Sequence, residues 1–364
     1  MVVLSGHAYC WDVLGDPAFA GRAAALGLDS VTLAAAYHSV RAATPLHPRH
    51  QVVDARYAAL YRPVRASVWH GRRLRPLAPD WLDDPDPFRT AAAALSAQGL
   101  PVTAWVVLTH NTRLGTEHPD VAVANCFGDR YPYALCPSWE EVRDYAALLA
   151  AEAVHDVPLS AVSLESCGQL GVVHAGHHDK TADPWDPLAR RWLSVCCCPA
   201  CRRAWSSAGA DPARITAQLR AAVRTGSPVD DAGVVLGARL RAAETLRAGC
   251  AAALGDLPIL LHAGVDPWAT GPSPGLPAAT GGRLLLNAWD GTPSAVEAVA
   301  AAAGRGDTVH AYVTALGKAR SGLPDQVRAL VAAGASGIHL YHLGLAPAAG
   351  HQAMHAVSRM LEKT

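Results

Sequence analysis

The sequence predicts an α/β protein of the (β/α)8 class, a TIM barrel, and three observations favour that fold. Eight short, mostly apolar runs lack strict alternation, which is typical of parallel strands buried on both faces. Amphipathic stretches rich in Ala, Leu and Arg separate these runs. The segment Gly6-His7-Ala8-Tyr9 after the first run lacks the glycine spacing of a dinucleotide-binding fold. An open doubly wound sheet uses the same alternation and stays the alternative.

The predicted elements follow in chain order. The eight strands cover residues 2–5, 30–35, 102–108, 161–165, 258–262, 283–287, 308–313 and 337–341. A capping side chain before a proline marks helix starts at Asp16-Pro17, Asp86-Pro87 and Thr292-Pro293, and residues 138–141 have the spacing of a capping box. A helix over residues 323–335 precedes the last strand, and one near residues 346–363 closes the barrel.

Composition excludes several classes of protein. The 364 residues include 31 basic and 31 acidic side chains, and this zero formal net charge removes the electrostatic argument for binding nucleic acid. Only 17% of residues are charged, which excludes a largely disordered chain. No apolar run reaches the ~18 residues that a membrane helix needs. Met1 leads directly into an apolar strand without a leader pattern, so we expect a cytoplasmic protein. The oligomeric state stays open.

The chain is longer than a barrel requires. A TIM barrel takes ~250 residues, and the excess falls after strands 2, 3 and 4, over residues 37–85, 109–137 and 166–190. These loops belong to the carboxyl face, where barrel active sites are built. We therefore expect one domain over residues 1–364, with residues 166–255 forming an insertion that carries a His/Cys-rich loop and extra helices.

Carboxylates near the strand ends suggest acid–base chemistry. Glu165 ends the fourth strand, where burial raises a carboxyl pKa toward the value that a general acid needs. Paired carboxylates are the apparatus of glycoside hydrolysis, and Asp290 is the first candidate partner, with Asp266 the second. A structural carboxylate at Glu165 and a turn residue at Asp290 are the simpler interpretations.

Other polar and aromatic residues are expected to line the same barrel mouth as a substrate-binding surface. Ten Trp against three Phe is an unusual balance, and a Trp face packs well on a sugar ring. The candidate substrate-binding residues are His7, Tyr9, Trp11, Tyr37, His38, His110, Asn111, His177, His178, Lys180, His262, Asn287, Trp289 and Tyr341.

A cysteine-rich segment predicts a metal site. Cys196, Cys198 and Cys201 lie within six residues, and Cys198-x-x-Cys201 is half of a zinc knuckle. His174 is our candidate for the fourth ligand; His177, His178, Cys167 and Cys126 are the alternatives. A closed site of four ligands makes the zinc structural. Buried free cysteines or an exposed redox pair are the alternatives to zinc, and we expect no organic cofactor.

Several stretches together resemble a group of uncharacterised bacterial TIM-barrel proteins that are grouped with hypothetical glycoside hydrolases. The stretches are residues 36–41, 127–132, 135–137, 164–166, 177–180 and the cysteine run. The resemblance covers most of the chain and implies a TIM barrel and carbohydrate chemistry. The large retaining-glycosidase clan carries a second Glu after strand 7, where residues 310–315 contain no carboxylate. Glu165 with Asp290 is closer to the arrangement of α-galactosidase-like barrels.

Three functions compete at this point. The first is a glycoside hydrolase-like enzyme that acts on a small sugar or sugar-like glycoside. The second is a metal-dependent lyase, isomerase or hydrolase in which four histidines of the mouth and Glu165 hold a catalytic ion; the histidines are His7, His38, His110 and His262. The third is a non-catalytic sugar-binding barrel. In each case the partner is a small molecule.

Overall fold

The protein is described here from a computed structural model, which covers residues 2–173, 180–181, 184–275 and 282–363, without the side chains of residues 319 and 320. Its barrel strands are β1 (Val3–Ala8), β2 (Ser30–Tyr37), β3 (Val102–Val107), β4 (Ala161–Glu165), β5 (Ile259–Ala263), β6 (Arg283–Asn287), β7 (Thr308–Thr314) and β8 (Gly337–Tyr341). All are parallel, and β1 pairs with both β2 and β8, so the sheet closes on itself. This closure confirms the predicted (β/α)8 fold class and excludes the open sheet.

Helices connect the strands around the outside of the barrel. They are α1 (Cys10–Val13), α2 (Phe19–Ala24), α3 (Ala66–Trp69), α4 (Pro87–Ser96), α5 (Thr112–Glu117), α6 (Glu140–Val154), α7 (Pro187–Leu193), α8 (Pro199–Ser207), α9 (Pro212–Thr225), α10 (Ala232–Leu254), α11 (Pro293–Gly304), α12 (Leu323–Ala332) and α13 (Ala348–Leu361). A 3-10 turn, Gly317–Gly322, precedes α12. Among the described residues between β5 and β6 there is no helix. The described part of the chain contains no helix long and apolar enough to cross a membrane.

Two predicted helix starts are wrong, for local reasons. Asp16 does not cap α2, because its side chain instead accepts from the Ala18 amide, two residues ahead, and pairs with Arg22. Ser138 forms no capping box, because Trp139 occupies the N-cap position of α6 and the Ser138 hydroxyl lies 3.1 Å from the Cys201 sulfur. Asp86 caps α4 as predicted, and Thr292 occupies the predicted N-cap position of α11 without a side-chain cap hydrogen bond.

The long connections after β2, β3 and β4 carry secondary structure of their own. The first contains a hairpin (Val40–Ala43 with Val52–Ala55) and a short strand (Ala59–Leu60) antiparallel to β2. The second contains α5 and a hairpin (Ala122–Ala124 with Arg130–Leu135), and the third contains α7, α8 and α9. Side chains of the second hairpin and of α7 to α10 form a hydrophobic cluster separate from the barrel core. A single domain over residues 1–364, with residues 166–255 as an insertion, stays a prediction.

Hydrogen-bonded polar side chains occupy part of the barrel interior. Ser5 and Thr32 share a hydrogen bond between β1 and β2 at 3.1 Å, and His262 of β5 lies 3.1 Å from Ser163 of β4. These side chains are buried, so the hydrogen bonds between strands offset the cost of removing them from water. The interior is therefore a hydrogen-bonded network in which a functional carboxyl can be held.

Candidate active site

Glu165 is a buried carboxyl at the carboxyl end of β4, with only 5% of its surface exposed. The Trp105 indole N–H donates to its Oε2 at 2.7 Å, and His262 Nδ1 lies 3.9 Å from the same oxygen. Burial raises the pKa of Glu165 to about 7, against the smaller lowering effect of the Trp105 hydrogen bond. A carboxyl with this pKa holds or releases a proton near neutral pH, as a general acid requires.

A tyrosine cluster lies around this carboxyl. The Tyr9 hydroxyl is 3.3 Å from the hydroxyls of both Tyr37 and Tyr341. Burial raises the pKa of each of these tyrosines and of Tyr312, and the charge of Glu165 raises the pKa of Tyr37, Tyr312 and Tyr341 further. These tyrosines therefore stay protonated at neutral pH, and their hydroxyl groups are hydrogen-bond donors near Glu165.

Trp289 forms the solvent-facing side of this cluster. Its ring packs at 4.4 Å from Tyr341 and 5.4 Å from Tyr312, and 37% of its surface is exposed. An exposed indole beside buried hydroxyl groups suits stacking against the apolar face of a sugar ring.

Three more predicted residues extend this cluster by ring stacking. Trp11 stacks on Tyr9 at 4.4 Å but is buried behind it. His38 stacks on Tyr37 at 4.2 Å and on His110 at 4.4 Å, and both histidines are partly exposed. The aromatic stack of Tyr37, His38 and His110 thus runs from the tyrosine cluster to the surface.

Other predicted substrate-binding residues are placed differently. His7 and His262 are fully enclosed inside the barrel. Asn111 is buried, where its Oδ1 caps α5 and its amide donates to Tyr145. Asn287 is exposed and accepts from the Trp289 amide. Lys180 is exposed, and His177 and His178 lie outside the described residues.

The two candidate partner carboxylates are solvent-exposed and engaged locally. Asp290 accepts from the backbone N–H and hydroxyl of Thr292 at 3.1 and 3.0 Å, as a turn residue does. Asp266 accepts from the Trp268 amide at 2.9 Å and lies 3.5 Å from Arg191. Within the described ranges, neither is hydrogen bonded to Glu165.

Asp12 is a buried carboxyl that the sequence analysis missed. Its Oδ2 accepts from the Tyr9 amide at 2.7 Å and lies 3.7 Å from His342 Nδ1. Burial raises the pKa of Asp12 to about 8 and lowers the pKa of His342 to about 3, so both are neutral at pH 7. The signal was available, since Asp12 follows Trp11 directly beyond the first strand. It fixes the backbone of Tyr9, and thereby the tyrosine cluster.

Four buried cysteines form a second site. Cys136, Cys196, Cys198 and Cys201 place their sulfur atoms all within 4.8 Å of one another. Cys136 was missed because it lies 60 residues before the cysteine run, at the end of the second hairpin. His174 lies outside the described residues, and neither Cys126 nor Cys167 belongs to the group. Four thiolates at this spacing suit a tetrahedral, closed zinc site.

Polar groups surround the four sulfurs. The Gln169 amide nitrogen is 3.6 Å from the sulfur atoms of both Cys136 and Cys201. Burial lowers the pKa of Arg239 to about 10, and the nearby charges of Cys201 and Cys196 raise it in part. Such donors stabilise thiolates as metal ligands. Gln169 lies four residues after Glu165, so the cysteine site adjoins the loop that follows the candidate acid.

The mouth histidines do not gather as a metal-binding set. In the part of the chain that the structure describes, the four cysteines are the one group of three or more His, Cys, Asp or Glu side chains whose ligand atoms all lie within 4.8 Å. His7 and His262 are directed to other interior side chains, and His38 and His110 stack on the rim. Among the described residues, no contact therefore favours the metal-dependent alternative.

No family model and no curated protein matches the chain. Several solved structures are similar to it. An α-L-fucosidase isoenzyme from Paenibacillus thiaminolyticus has a TM-score of 0.62 at 12% identity, over 100% of this chain and 49% of that one. The PgaB (BpsB) glycoside hydrolase domain from Bordetella bronchiseptica has a TM-score of 0.61 at 15% identity, over 98% and 99%. The GH42 β-galactosidase Gan42B from G. stearothermophilus has a TM-score of 0.56 at 10% identity, over 100% and 56%.

These likenesses define the class of fold. The chain shares its TIM-barrel fold with these three structures, and it spans about half the length of the fucosidase chain. Because all three identities are 15% or lower, the similarity extends to the fold and leaves substrate and mechanism to the chain's own residues.

Proposed function

We propose that the protein is a glycoside hydrolase-like enzyme that acts on a small sugar or sugar-like glycoside, with Glu165 as general acid/base. One observation carries the proposal: Glu165 is buried at the end of the fourth barrel strand with a pKa raised to about 7. The Trp105 hydrogen bond holds Oε2, so Oε1 is the oxygen that donates a proton to the glycosidic oxygen. Trp289 and Tyr341 would form the sugar platform.

The second carboxylate in this proposal is Asp290, with Asp266 as the next candidate. Asp290 follows Trp289, whose ring contacts two tyrosines of the Glu165 environment. To act, Asp290 must exchange its Thr292 hydrogen bonds for contact with water or with the sugar. Its separation from Glu165 in the liganded enzyme would decide between retention and inversion.

Glu165→Gln tests the proposal. The variant keeps the size of the side chain but has no proton to donate, so we expect hydrolysis of methyl glycosides to fall by about 10²- to 10⁴-fold. Hydrolysis of dinitrophenyl glycosides should fall much less, because that leaving group departs without a proton. The measurement is kcat/KM on matched sugar series, with the exposed Glu297→Gln as control. Equal activity of Glu165→Gln and wild type on methyl glycosides would refute the assignment.

A non-catalytic sugar-binding barrel is the second candidate, and it is favoured by the exposed, locally bonded state of Asp290 and Asp266. It predicts that calorimetry detects sugar binding that Glu165→Gln leaves unchanged, with no turnover of any glycoside.

We also propose that zinc occupies the four cysteines in a structural role. The support is the donor set itself, since four buried thiols leave no open position for substrate. Zinc here would tie the second hairpin, through Cys136, to the start of α8, through Cys198 and Cys201.

A further inference from the structure

Three histidine rings and a tyrosine form a continuous hydrogen-bonded chain through the barrel. His310 Nδ1 lies 3.0 Å from His339 Nε2, and His339 Nδ1 lies 3.3 Å from His7 Nε2. His7 Nδ1 lies 3.3 Å from the Tyr312 hydroxyl. His339 and His7 each bond one neighbour through Nδ1 and the other through Nε2. The hydrogen-bonded chain therefore runs from β7 across β8 to β1 and back to β7.

The chain is built from neutral rings. Burial lowers the pKa of His7 and His339 well below 6.5 and that of His310 to about 4. A neutral imidazole has one N–H donor and one acceptor nitrogen, so every link can be satisfied in either direction. Reversing all of the tautomers moves one proton along the chain without leaving a charge on it.

The lower end of the chain reaches a cavity. A cavity of about 440 Å³ lies at the amino-terminal end of the barrel, and the first residues of most barrel strands line it, together with His310 and His339. Arg283, at the start of β6, also lines the cavity and contributes to the lowered pKa of His310. Water in this cavity has direct access to the His310 ring.

The upper end of the chain reaches the candidate acid. The Tyr312 ring lies 4.5 Å from the His7 ring, which lies 4.7 Å from the ring of Trp105, the residue that donates to Glu165. The Tyr312 ring also contacts His262, whose Nδ1 is 3.9 Å from Glu165. Glu165 itself is buried, with 5% of its surface exposed.

We propose that this chain conducts protons between the amino-terminal cavity and the Glu165 carboxyl. A proton from cavity water joins His310 Nε2, and the Nδ1 proton of each histidine then passes to Nε2 of the next. The His7 Nδ1 proton passes to the Tyr312 oxygen, and the tyrosine's own proton crosses one bridging water to the Glu165 carboxylate. A proton that passes the opposite way restores the starting tautomers.

Such a path would serve Glu165 while a ligand fills the barrel mouth. The inference rests on the proposed function only in taking Glu165 as the group that exchanges the proton. The test therefore observes that proton directly and uses no substrate, so its failure leaves the glycosidase proposal untouched.

The experiment measures hydrogen–deuterium exchange of the Glu165 carboxylic acid by stopped-flow infrared spectroscopy. The full chain at about pH 6, where Glu165 is mostly protonated, is mixed with D2O, and its C=O band is identified by its loss in Glu165→Gln. Tyr312→Phe removes the last link but keeps the ring packing, and we expect the exchange to slow about tenfold or more, the effect of ~1.4 kcal/mol of added barrier. His339→Phe, which removes the central ring of the hydrogen-bonded chain, should slow it equally.

Two controls make the result specific. Tyr61→Phe removes a buried tyrosine hydroxyl outside the chain, and it should exchange like wild type. The Asp12 carboxyl, also protonated at this pH and not part of the chain, should keep its rate in all variants. Unchanged exchange in Tyr312→Phe overturns the proposal. Slowing in Tyr312→Phe with unchanged exchange in folded His339→Phe also overturns it, because the proton then bypasses the histidines.

Discussion

Two opposing effects determine the pKa of Glu165. Burial disfavours its carboxylate and raises its pKa, while the Trp105 N–H stabilises the same carboxylate and lowers the pKa. The pKa of about 7 is the sum of these two effects, so the Trp105 hydrogen bond limits how far burial raises the pKa of Glu165.

Trp105→Phe should therefore raise the pKa of Glu165 above 7. A hydrogen bond to a charged group contributes about 1.5 to 3 kcal/mol, so the pKa should rise by about one to two. Infrared titration of the Glu165 carboxyl checks this, with Trp205→Phe as a control, since Trp205 is equally buried but lies in the second cluster. A pKa that stays the same or falls would contradict this account.

At the scale of elements, the loop after β4 links the two sites. The Thr109 hydroxyl lies 2.8 and 2.9 Å from the carbonyl oxygens of Ser166 and Gly168, and Gln169 contacts the cysteine sulfurs. The segment that follows Glu165 is thus fixed at one end by Thr109, in the connection after β3, and at the other end by the cysteine site.

Cys136→Ser should lose the proposed zinc. Removing one of four thiolates opens the tetrahedral site, so we expect the metal content to fall from about one zinc per chain toward zero and the melting temperature to fall by several degrees. Elemental analysis and thermal unfolding measure both effects. Cys250→Ser, equally buried but outside the group, is the matched control. Equal zinc content in the two variants would argue against the site.

At the scale of the whole molecule, buried titratable groups make stability depend on pH in two opposing ways. Five buried histidines have a lowered pKa, so the unfolded chain binds more protons below pH 6.5 and stability falls with acid; they are His7, His262, His310, His339 and His342. Asp12 and Glu165 have a raised pKa, so the folded chain binds more protons up to about pH 7 or 8, and their contribution falls as pH rises through that range.

We therefore expect the free energy of unfolding to be greatest near pH 7. Below that pH, the five histidines take up about five protons on unfolding, and the two carboxyls release about two. The unfolded chain therefore binds about three more protons than the folded one, so stability should fall by as much as ~4 kcal/mol per pH unit as the pH is lowered. Above it, the two carboxyls cause a shallower decline to about pH 8. Urea unfolding at a series of pH values measures this curve. Stability that is level or rises between about pH 6.5 and pH 5 would contradict it.

Much of the architecture could be predicted, because a buried strand is recognisable from a short apolar run in the local sequence. The predicted bounds of β4, β6 and β8 agree with the structure, since each is an apolar run bounded by turn residues. Glu165 could be predicted as a candidate because its position at a strand end follows from the same periodicity. Residues such as Cys136 and His339 could not, because their roles depend on partners that lie far away in the sequence.

By itself the sequence determined the barrel, the strand that carries Glu165 and the three cysteines of one short run, because each depends on residues close together along the chain. Only the tertiary structure decided that Cys136 completes the cysteine group, that Asp290 and Asp266 are exposed and that His310, His339 and His7 align. Closure of the barrel brings strands from both ends of the chain side by side, and no local pattern encodes which side chains then meet.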